Sequence, residues 1–266
     1  MIHPTAIVHP AAELDPSVDV GPFCVIESGV MIGAGCKLGP HVHVLGPTSI
    51  GRDNRFHTGC VIGDAPQDLK YKGQPTRLVI GDDNVFREYF TAHRSNSESE
   101  DTTIGSHNLF MSGSHVGHNC HVGNNVVFAN GVLAAGHVTV EDRAFLSGSC
   151  LVHQFARVGT LAMMQGGSAI SQDLPPFWIV QGAINVVIGV NVVGMRRAGV
   201  PHDEIQAVRT AYKLINRSGL TIPQALERIE AELGALPATR QLVDFIRSAK
   251  RGVCTAIHKR DPHHDD

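Results

Sequence analysis

A six-residue apolar register runs through the first two thirds of the chain. It starts at Ile2 and Val8 and is still in phase at Ile170. Of the 29 register positions between residues 2 and 170, 26 are apolar, whereas a 42% hydrophobic composition would give about 12. A period of six fits neither an amphipathic helix nor a single half-buried strand, but it is typical of a hexapeptide parallel β-helix. Three hexapeptides then form one coil of 18 residues, so the sequence predicts an all-β solenoid.

Two polar, turn-rich segments interrupt this register, and both are predicted to be loops that project from the prism. The first, DAPQDLKYKGQPTRLV, spans residues 64–79, and the second, HRSNSESEDTT, spans residues 93–103. Loops on a rigid scaffold often carry function, so the first loop is a candidate part of a site. The serine-rich second loop is interpreted as a mobile segment only.

The pattern changes after Ile170, where Pro175 and Pro176 stop the coil. From Pro201 the apolar spacing becomes helical, and Gly219 suits the end of that helix. Residues 221–233 and 239–250 predict two further helices. We therefore expect a β-helix over residues 1–189, a C-terminal α-helical domain over 190–255 and a disordered tail over 256–266.

Composition excludes several classes of protein. A net charge of -3 with 18% charged residues offers no argument for nucleic-acid binding. No run of 18 apolar residues could span a membrane, and the register leaves no room for a signal peptide, so a cytoplasmic protein that is not an integral membrane protein is expected. Five cysteines share the fifth position of their hexapeptides and are interpreted as small buried residues rather than metal ligands. These are Cys24, Cys36, Cys60, Cys120 and Cys150.

Histidines cluster in the middle coils, and the 18-residue period predicts which of them stack. Residue 118 should lie beneath residue 136, and residue 136 beneath residue 154, with coils about 4.8 Å apart. The side chains and backbone expected on this edge are those of His115, His118, Gly136, His137, His153 and Gln154.

Three explanations of this histidine column are open. It could be a metal site, a general base with substrate-binding partners, or polar decoration of a solvent-facing corner. Hexapeptide carbonic anhydrases resemble this fold and bind metal through three histidines, but their paired ligands are typically five residues apart. His115 and His118 are three residues apart.

A basic stripe marks the predicted helix that follows Pro201. Arg209, Lys213 and Arg217 recur every four residues, and residues 196–217 carry a net charge of +3. Two explanations are open: a solvated helix face, or a docking surface for an acidic partner whose encounter the positive charge would accelerate.

Segments outside the apolar repeat carry a more specific resemblance. They are QDLKYKGQPTR at 67–77, SHVGHNCHVGNN at 114–125, AAGHVTVEDRAFLSG at 134–148, VHQFARVG at 152–159, GVNVVGMRRAG at 189–199 and AYKLINRSG at 211–219. On these segments the chain, from residue 2 to 252, resembles the acyl-carrier-protein-dependent UDP-N-acetylglucosamine O-acyltransferases that begin lipid A synthesis in Gram-negative bacteria. The resemblance implies left-handed coils, a homotrimer with clefts between neighbouring prisms, acyl carrier protein and UDP-N-acetylglucosamine as partners, and no metal or organic cofactor.

The resemblance also implies a role for individual residues. His118 matches the general base that takes the proton from the glucosamine 3-hydroxyl, and the amide of Gly136 matches the oxyanion donor. The positions that match substrate-binding residues of the family are Gln67, Asp68 and Lys70 in the first loop, His115, His137, His153 and Gln154 along the cleft, and Asn191 and Arg197 near the uridine nucleotide.

One departure from the family concerns the residue after the base. Asn119 stands where a carboxylate is common in relatives, so another group, such as a backbone carbonyl, is expected to orient His118. The N-acyltransferase of the same pathway, which acts on a UDP-amino sugar, is the nearest alternative, although it usually has an N-terminal uridine-binding domain for which the register starting at Ile2 leaves no room. A hexapeptide carbonic anhydrase or a non-catalytic scaffold would be a competitor of another class, and the QDLKYKG loop argues against both.

Overall fold

The structure, a computed structural model, describes residues 1–182 and 184–256 of the chain. Of the tail predicted to be disordered, only Ala256 falls within this range, and residues 257–266 lie outside the described residues.

Twenty-seven short strands and four helices make up the described chain. The first nine strands are β1 (Ile7–Val8), β2 (Glu13–Leu14), β3 (Asp19–Val20), β4 (Val25–Ile26), β5 (Val30–Ile32), β6 (Lys37–Leu38), β7 (His43–Val44), β8 (Thr48–Ile50) and β9 (Arg55–Phe56). The next nine are β10 (Val61–Asp64), β11 (Leu78–Ile80), β12 (Val85–Phe86), β13 (Thr91–His93), β14 (Thr102–Ile104), β15 (Leu109–Phe110), β16 (His115–Val116), β17 (His121–Val122) and β18 (Val127–Phe128). The last nine are β19 (Leu133–Ala134), β20 (Thr139–Val140), β21 (Phe145–Leu146), β22 (Leu151–Val152), β23 (Arg157–Val158), β24 (Met163–Met164), β25 (Ala169–Ile170), β26 (Trp178–Val180) and β27 (Val187–Val190).

Nearly every strand pairs with the strand three places later in the chain, so the strands stack into three sheets, one on each side of a prism. One sheet runs from β1 through β4 and β7 to β25, a second from β2 to β23, and the third from β3 to β27. Pairing is parallel throughout these stacks except between β26 and β27, which are antiparallel. The predicted fold, a left-handed parallel β-helix of hexapeptide repeats followed by helices, is confirmed.

The two predicted loops lengthen their coils without changing the phase of the repeat. Ile80 pairs with Ile50 and Ile104 pairs with Ile80, at separations of 30 and 24 residues. In most other coils the separation is 18, as between Leu133 and Leu151. Both insertions are therefore whole multiples of six residues, so the apolar register is in phase again after each loop, at Ile80 and at Ile104.

The prism interior is filled by aligned columns of like side chains. Phe56, Phe86 and Phe110 stack face to face, with ring centroids 4.7 and 5.1 Å apart along the column. The five cysteines named above are fully buried, and burial raises the pKa of Cys60 and Cys120 to about 12. Their thiols are protonated and enclosed, so the prediction that these cysteines serve packing is consistent with their surroundings.

Glycine and left-handed backbone occupy different positions of the hexapeptide. Glycines in the second position allow close approach of coils, because a Cβ on Gly33 would lie 2.8 Å from the carbonyl oxygen of Gly51. The left-handed conformation falls two residues later and is adopted mostly by other residues, among them Asn119 and His137 with φ of 58° and 61°. Asparagine tolerates this conformation better than most residues, which suits it to position 119.

Four helices follow the last strand. They are α1 (Val192–Arg197), α2 (His202–Arg217), α3 (Ile222–Leu233) and α4 (Pro237–Arg247). Thr221 caps α3 and forms a capping box with Gln224. The sequence predicted α2, α3 and α4 within a few residues but missed α1, which is too short to show a helical period. Within residues 1–182 and 184–256, no helix combines the length and apolar character needed to cross a membrane.

The helices pack on the end of the prism. Trp178 of β26 is fully buried and meets the ring of Tyr212 edge-on at 5.3 Å. The guanidinium of Arg157 lies 4.1 Å from the ring centroid of Phe245 and also bonds the buried carboxylate of Asp173 at 2.7 Å. These contacts attach the helices to the β-helix. The predicted boundary at residue 189 lies inside β27, immediately before α1.

Candidate active site

A cleft of about 560 Å³ lies on one face of the middle coils. It is bounded at one end by the first loop and extends along the coils toward β25. Its lining includes Gln67, His93, His115, Gly117, His118, Leu133, Ala134, Ala135, Gly136, Leu151, Val152, His153, Gln154, Ala169, Ile170, Ser171 and Ile184. Six of the eleven predicted site residues therefore meet in a single cleft.

His118 and Gly136 are in contact, as the 18-residue period predicted. Val116 pairs with Ala134, which aligns the residues that follow on the two coils. A Cβ built on Gly136 would lie 2.5 Å from both Cε1 and Nε2 of His118. Only a residue without a side chain leaves room for the imidazole at this point, so glycine is required here for steric reasons.

The side chain of Asn119 orients His118. Its Oδ1 lies 2.9 Å from Nδ1 of His118 and also accepts a hydrogen bond from the backbone N–H of Asn96 at 3.0 Å. Its Nδ2 donates to Ser95 and to the carboxylate of Glu100. The expectation that a group other than Asn119 orients His118 was therefore wrong, because the amide oxygen occupies the position of a carboxylate oxygen.

This network also determines the tautomer of His118. A backbone N–H can only donate and a carboxylate can only accept, so Asn96 and Glu100 settle which end of the Asn119 amide faces the imidazole. The oxygen of Asn119 then requires a proton on Nδ1 of His118. Nε2 is left unprotonated and faces Gly136, so it can accept a proton from a substrate in the cleft.

The amide nitrogen of Gly136 is a free donor. Within the described chain it makes no hydrogen bond, whereas the amide of the following residue, His137, bonds the carbonyl of His118 at 2.9 Å. A backbone N–H beside an unprotonated imidazole can stabilise an oxygen that becomes negative during reaction.

The histidines around His118 are kept neutral. Burial, reinforced by His93 and His118, lowers the pKa of His115 to about 4, and its Nδ1 contacts Thr91 at 2.8 Å. Burial also lowers the pKa of His93 and of His137. His137 meets His118 edge-on at 5.1 Å and stacks on Phe155 at 4.5 Å. The neutral imidazoles of His93 and His115 therefore line the cleft, where they can hydrogen-bond a polar substrate, and that of His137 lies beside it against His118.

The two loops hold each other beside the cleft. Asp68 accepts a hydrogen bond from Asn96 at 2.6 Å, and Arg77 forms a two-pronged bond with Asp101 at 3.1 and 2.8 Å. Hydrogen bonds from the backbone of Lys70 and from Asn96 lower the pKa of Asp68. The second loop, interpreted from sequence as mobile only, thus packs against the first loop and supplies groups next to His118.

An apolar strip leads away from the polar end of the cleft. His115 pairs with Leu133, Leu133 with Leu151, and Leu151 with Ala169, so the four side chains line up across four coils. Leu133 and Leu151 are 44% and 48% exposed, and both line the cleft. The strip suits a long, flexible apolar ligand bound along the axis of the prism.

Several predicted site residues are not part of this cleft. Lys70 is exposed in the first loop. Asn191 caps α1 through Gly194 and donates to the carbonyl of Leu161 at 2.9 Å, and Arg197 is exposed at the end of the same helix. Across residues 1–182 and 184–256, no group of three or more His, Cys, Asp or Glu side chains is arranged to hold a metal ion.

Sequence reasoning missed His93, Ser95, Asn96 and Glu100. All four lie in the second loop, whose extra residues shift the local coil separation to 24, as between Thr91 and His115. An 18-residue period applied across this loop therefore pairs the wrong residues. Adding six residues would have placed residue 93 beside residue 117, next to His118.

Comparisons with known proteins agree with the fold and the cleft. The family description "Udp N-acetylglucosamine O-acyltransferase; Domain 2" matches residues 173–254, and "Bacterial transferase hexapeptide (six repeats)" matches residues 29–64 and 101–136. The chain is 47% identical over 248 residues to the acyl-[acyl-carrier-protein]–UDP-N-acetylglucosamine O-acyltransferase of Gloeothece citriformis, covering 93% of this chain and 90% of the relative. It is 43% identical over 209 residues to the enzyme of the same name from Stutzerimonas stutzeri, covering 78% of this chain and 81% of the relative.

Solved structures extend the likeness to the whole chain. The UDP-N-acetylglucosamine acyltransferase of Francisella novicida superposes with a TM-score of 0.92 at 34% identity, covering 99% of this chain and 95% of that one. The Arabidopsis enzyme superposes with a TM-score of 0.84 at 37% identity, covering 96% of this chain and 100% of that one. The hexapeptide prism, the helical domain and a sequence identity of 47% over 93% of the chain all agree, so the chain belongs to the family of acyl-[acyl-carrier-protein]–UDP-N-acetylglucosamine O-acyltransferases.

Proposed function

We propose that this protein transfers a (3R)-3-hydroxyacyl group from acyl carrier protein to the 3-hydroxyl of UDP-N-acetylglucosamine, the first step of lipid A biosynthesis. One observation carries the proposal. The unprotonated Nε2 of His118 lies against Gly136, whose backbone amide is free, at the head of an apolar strip. A base, an oxyanion donor and an acyl-chain groove are the parts that acyl transfer to a hydroxyl requires.

In the proposed mechanism, Nε2 of His118 takes the proton of the sugar 3-hydroxyl as its oxygen attacks the carbonyl carbon of the thioester. The carbonyl oxygen becomes an oxyanion and accepts a hydrogen bond from the amide of Gly136. The carbon–sulfur bond then breaks, and the imidazolium returns its proton to the departing thiolate of phosphopantetheine. The products are the acylated nucleotide sugar and the free carrier, and no metal or further cofactor takes part.

We further propose that the working site is completed in a homotrimer. Asn191 and Arg197, the positions matched to the uridine nucleotide, lie outside the cleft formed by His118 and its neighbours. The exposed Leu133 and Leu151 would be covered by a neighbouring prism. A partner copy could then bring its own helix end toward this cleft, where an arginine suits a phosphate. We place the reaction in the cytoplasm, where acyl carrier protein and nucleotide sugars are made.

Acyl carrier proteins are acidic, and the basic stripe on α2 is our proposed docking surface. Arg209, Lys213 and Arg217 are all exposed. In the described part of the chain, the ion pairs of the helical domain involve Arg228 and Arg247 instead. The three charges of the stripe are therefore available to steer an acidic partner.

Reversing the positive charge of the stripe on α2 should weaken the interaction with the acyl carrier protein. The triple variant Arg209→Glu, Lys213→Glu, Arg217→Glu is expected to raise KM for the acyl carrier protein by roughly tenfold or more through lost electrostatic steering. Transfer from a short acyl-pantetheine thioester, which lacks the acidic protein, should be unchanged. Lys37→Glu, an exposed charge reversal near the other end of the prism, is the control. Equal loss with both donors would contradict a docking role.

The reaction itself is tested by mass spectrometry. Purified protein is incubated with UDP-N-acetylglucosamine and a panel of 3-hydroxyacyl carrier proteins that differ in chain length. We expect one acylated nucleotide sugar whose mass identifies the preferred chain, with an unchanged rate in the presence of a metal chelator. The 3-amino analogue of the sugar is assayed in parallel. Acylation of the amino sugar alone would leave the site assignment standing but revise the substrate, and no acylation of either sugar would contradict the proposal.

A further inference from the structure

We propose that Glu100 is a positioning residue that supplies the negative charge missing at Asn119, acting on His118 through the Asn119 amide. This inference rests on the proposed function, since it concerns the same base. It assigns to the second loop a role in the reaction rather than in the architecture alone.

The three groups form a continuous hydrogen-bonded chain. Nδ1 of His118 lies 2.9 Å from Oδ1 of Asn119, and Nδ2 of Asn119 lies 3.0 Å from Oε2 of Glu100. Asn119 is fully buried, so its amide exchanges neither contact for water. An amide that donates to a carboxylate becomes a better acceptor at its oxygen, because hydrogen bonds in a chain polarise one another. Negative charge at Glu100 therefore favours an imidazolium at His118.

The surroundings of Glu100 keep its carboxylate ionised and oriented toward the Asn119 amide. Its Oε1 bonds Nε2 of His121 at 2.8 Å, and Nδ1 of His121 contacts Thr103 at 2.9 Å. Burial by itself would raise the pKa of Glu100, but the hydrogen bonds from His121 and Asn119 outweigh burial and lower it. The carboxylate is therefore charged at the pH at which a histidine acts as a base.

Glu100 is not needed merely to hold Asn119 in place. The backbone N–H of Asn119 bonds Thr102 at 2.7 Å, and its Nδ2 already donates to Ser95 at 2.8 Å. Asn119 would thus stay anchored without the carboxylate. A glutamine at position 100 could accept the same hydrogen bond without the charge, so exchange of glutamate for glutamine isolates the electrostatic contribution.

Other titratable groups surround the pair. His118 is faced by His93, His115, His137 and Asp68. Glu100 is faced by His121 and, at 3.8 Å, by His137. Asp68 is the other carboxylate near His118, but it bonds Asn96 and the backbone of Lys70 instead of the Asn119 amide. Glu100 is therefore the carboxylate that reaches His118 through Asn119.

Two substitutions test this role. Glu100→Gln is expected to lower kcat about tenfold with little change in KM for the nucleotide sugar, because only the imidazolium formed during reaction is affected. The acid limb of the kcat/KM profile should move to lower pH by roughly half a unit to one unit, since the base loses a stabilising negative charge. Glu98→Gln, an exposed carboxylate in the same loop, is the matched control.

A charge exchange makes the test specific. In the double variant Glu100→Gln, Asn119→Asp the carboxylate contacts His118 directly, and the new amide can donate to it. We expect kcat within about threefold of the parent value and the acid limb returned toward its original position. Wild-type kcat and pH profile in Glu100→Gln, or a loss that Asn119→Asp does not restore, would overturn the proposal.

A readout independent of substrate separates this proposal from the proposed function. The ring resonances of His118, followed by NMR against pH without substrate, should titrate at lower pH in Glu100→Gln and return in the double variant. If UDP-N-acetylglucosamine is not acylated but this shift is observed, the function fails while the role of Glu100 stands. If acylation occurs and the titration is unmoved, the role of Glu100 is refuted.

Discussion

Replacing His118 with alanine is expected to lower kcat by roughly 10³-fold while the protein stays folded, since a general base typically contributes 10²–10⁴-fold. His118 is half-buried and lies outside the columns that fill the prism, so removing its ring leaves the apolar core intact. Transfer from a 3-hydroxyacyl carrier protein to UDP-N-acetylglucosamine is measured by mass spectrometry, and folding by thermal unfolding.

His9→Ala provides the matched control, because this exposed histidine lies in the first coil, far along the prism from the cleft. It should retain full activity and an unchanged melting temperature. Near-normal turnover in His118→Ala would refute the general-base role. A large fall in melting temperature would instead assign His118 a structural role.

Gly136→Ala is the second substitution with a large expected effect. The new methyl would lie 2.5 Å from Nε2 and Cε1 of His118, which is closer than such atoms approach each other. The end of a side chain moves more readily than backbone, so the imidazole is expected to swing away while the coil stays in place. Displacing a reacting group by about 1 Å can cost roughly 10²-fold, and we expect a loss of kcat of this order.

Gly148→Ala is the control for this substitution, because a methyl there would meet nothing closer than a carbonyl oxygen at 3.5 Å. Both variants should melt within a few degrees of the parent protein. Combining Gly136→Ala with His118→Ala should cost little more than His118→Ala alone, since the clash needs the ring. Full activity in Gly136→Ala, or additive losses in the double variant, would contradict the proposed geometry.

The repeat makes the fold and part of the site predictable. Because each coil has 18 residues, sequence position translates directly into height along the prism, and the spacing alone places His118 in contact with Gly136. The same arithmetic brings Gln154 and His153 to the cleft. A helical bundle of this length would not allow such a placement, since its neighbouring residues are set by packing angles rather than by a fixed period.

The arithmetic fails where the loops begin. Ser95, Asn96 and Glu100 belong to a segment with no apolar period, so their spatial neighbours depend on how the second loop folds against the first. Hydrogen bonds such as that from Asn96 to Asp68 decide this, and they form between residues 28 positions apart. Asn119 is a similar case, because its effect on His118 depends on which way its amide faces.

The residue pattern alone predicts the hexapeptide prism, the phase of the coils after each loop, the burial of the cysteines and the placement of His118 against Gly136. All of these follow from periodicity, which is a local property that every coil repeats. The folded structure was needed to show that the second loop packs at the polar end of the cleft and that Asn119, which also bonds Glu100, contacts His118. It also showed that Asn191 and Arg197 lie away from the cleft. These features depend on contacts between segments that share no period, which no spacing along the chain encodes.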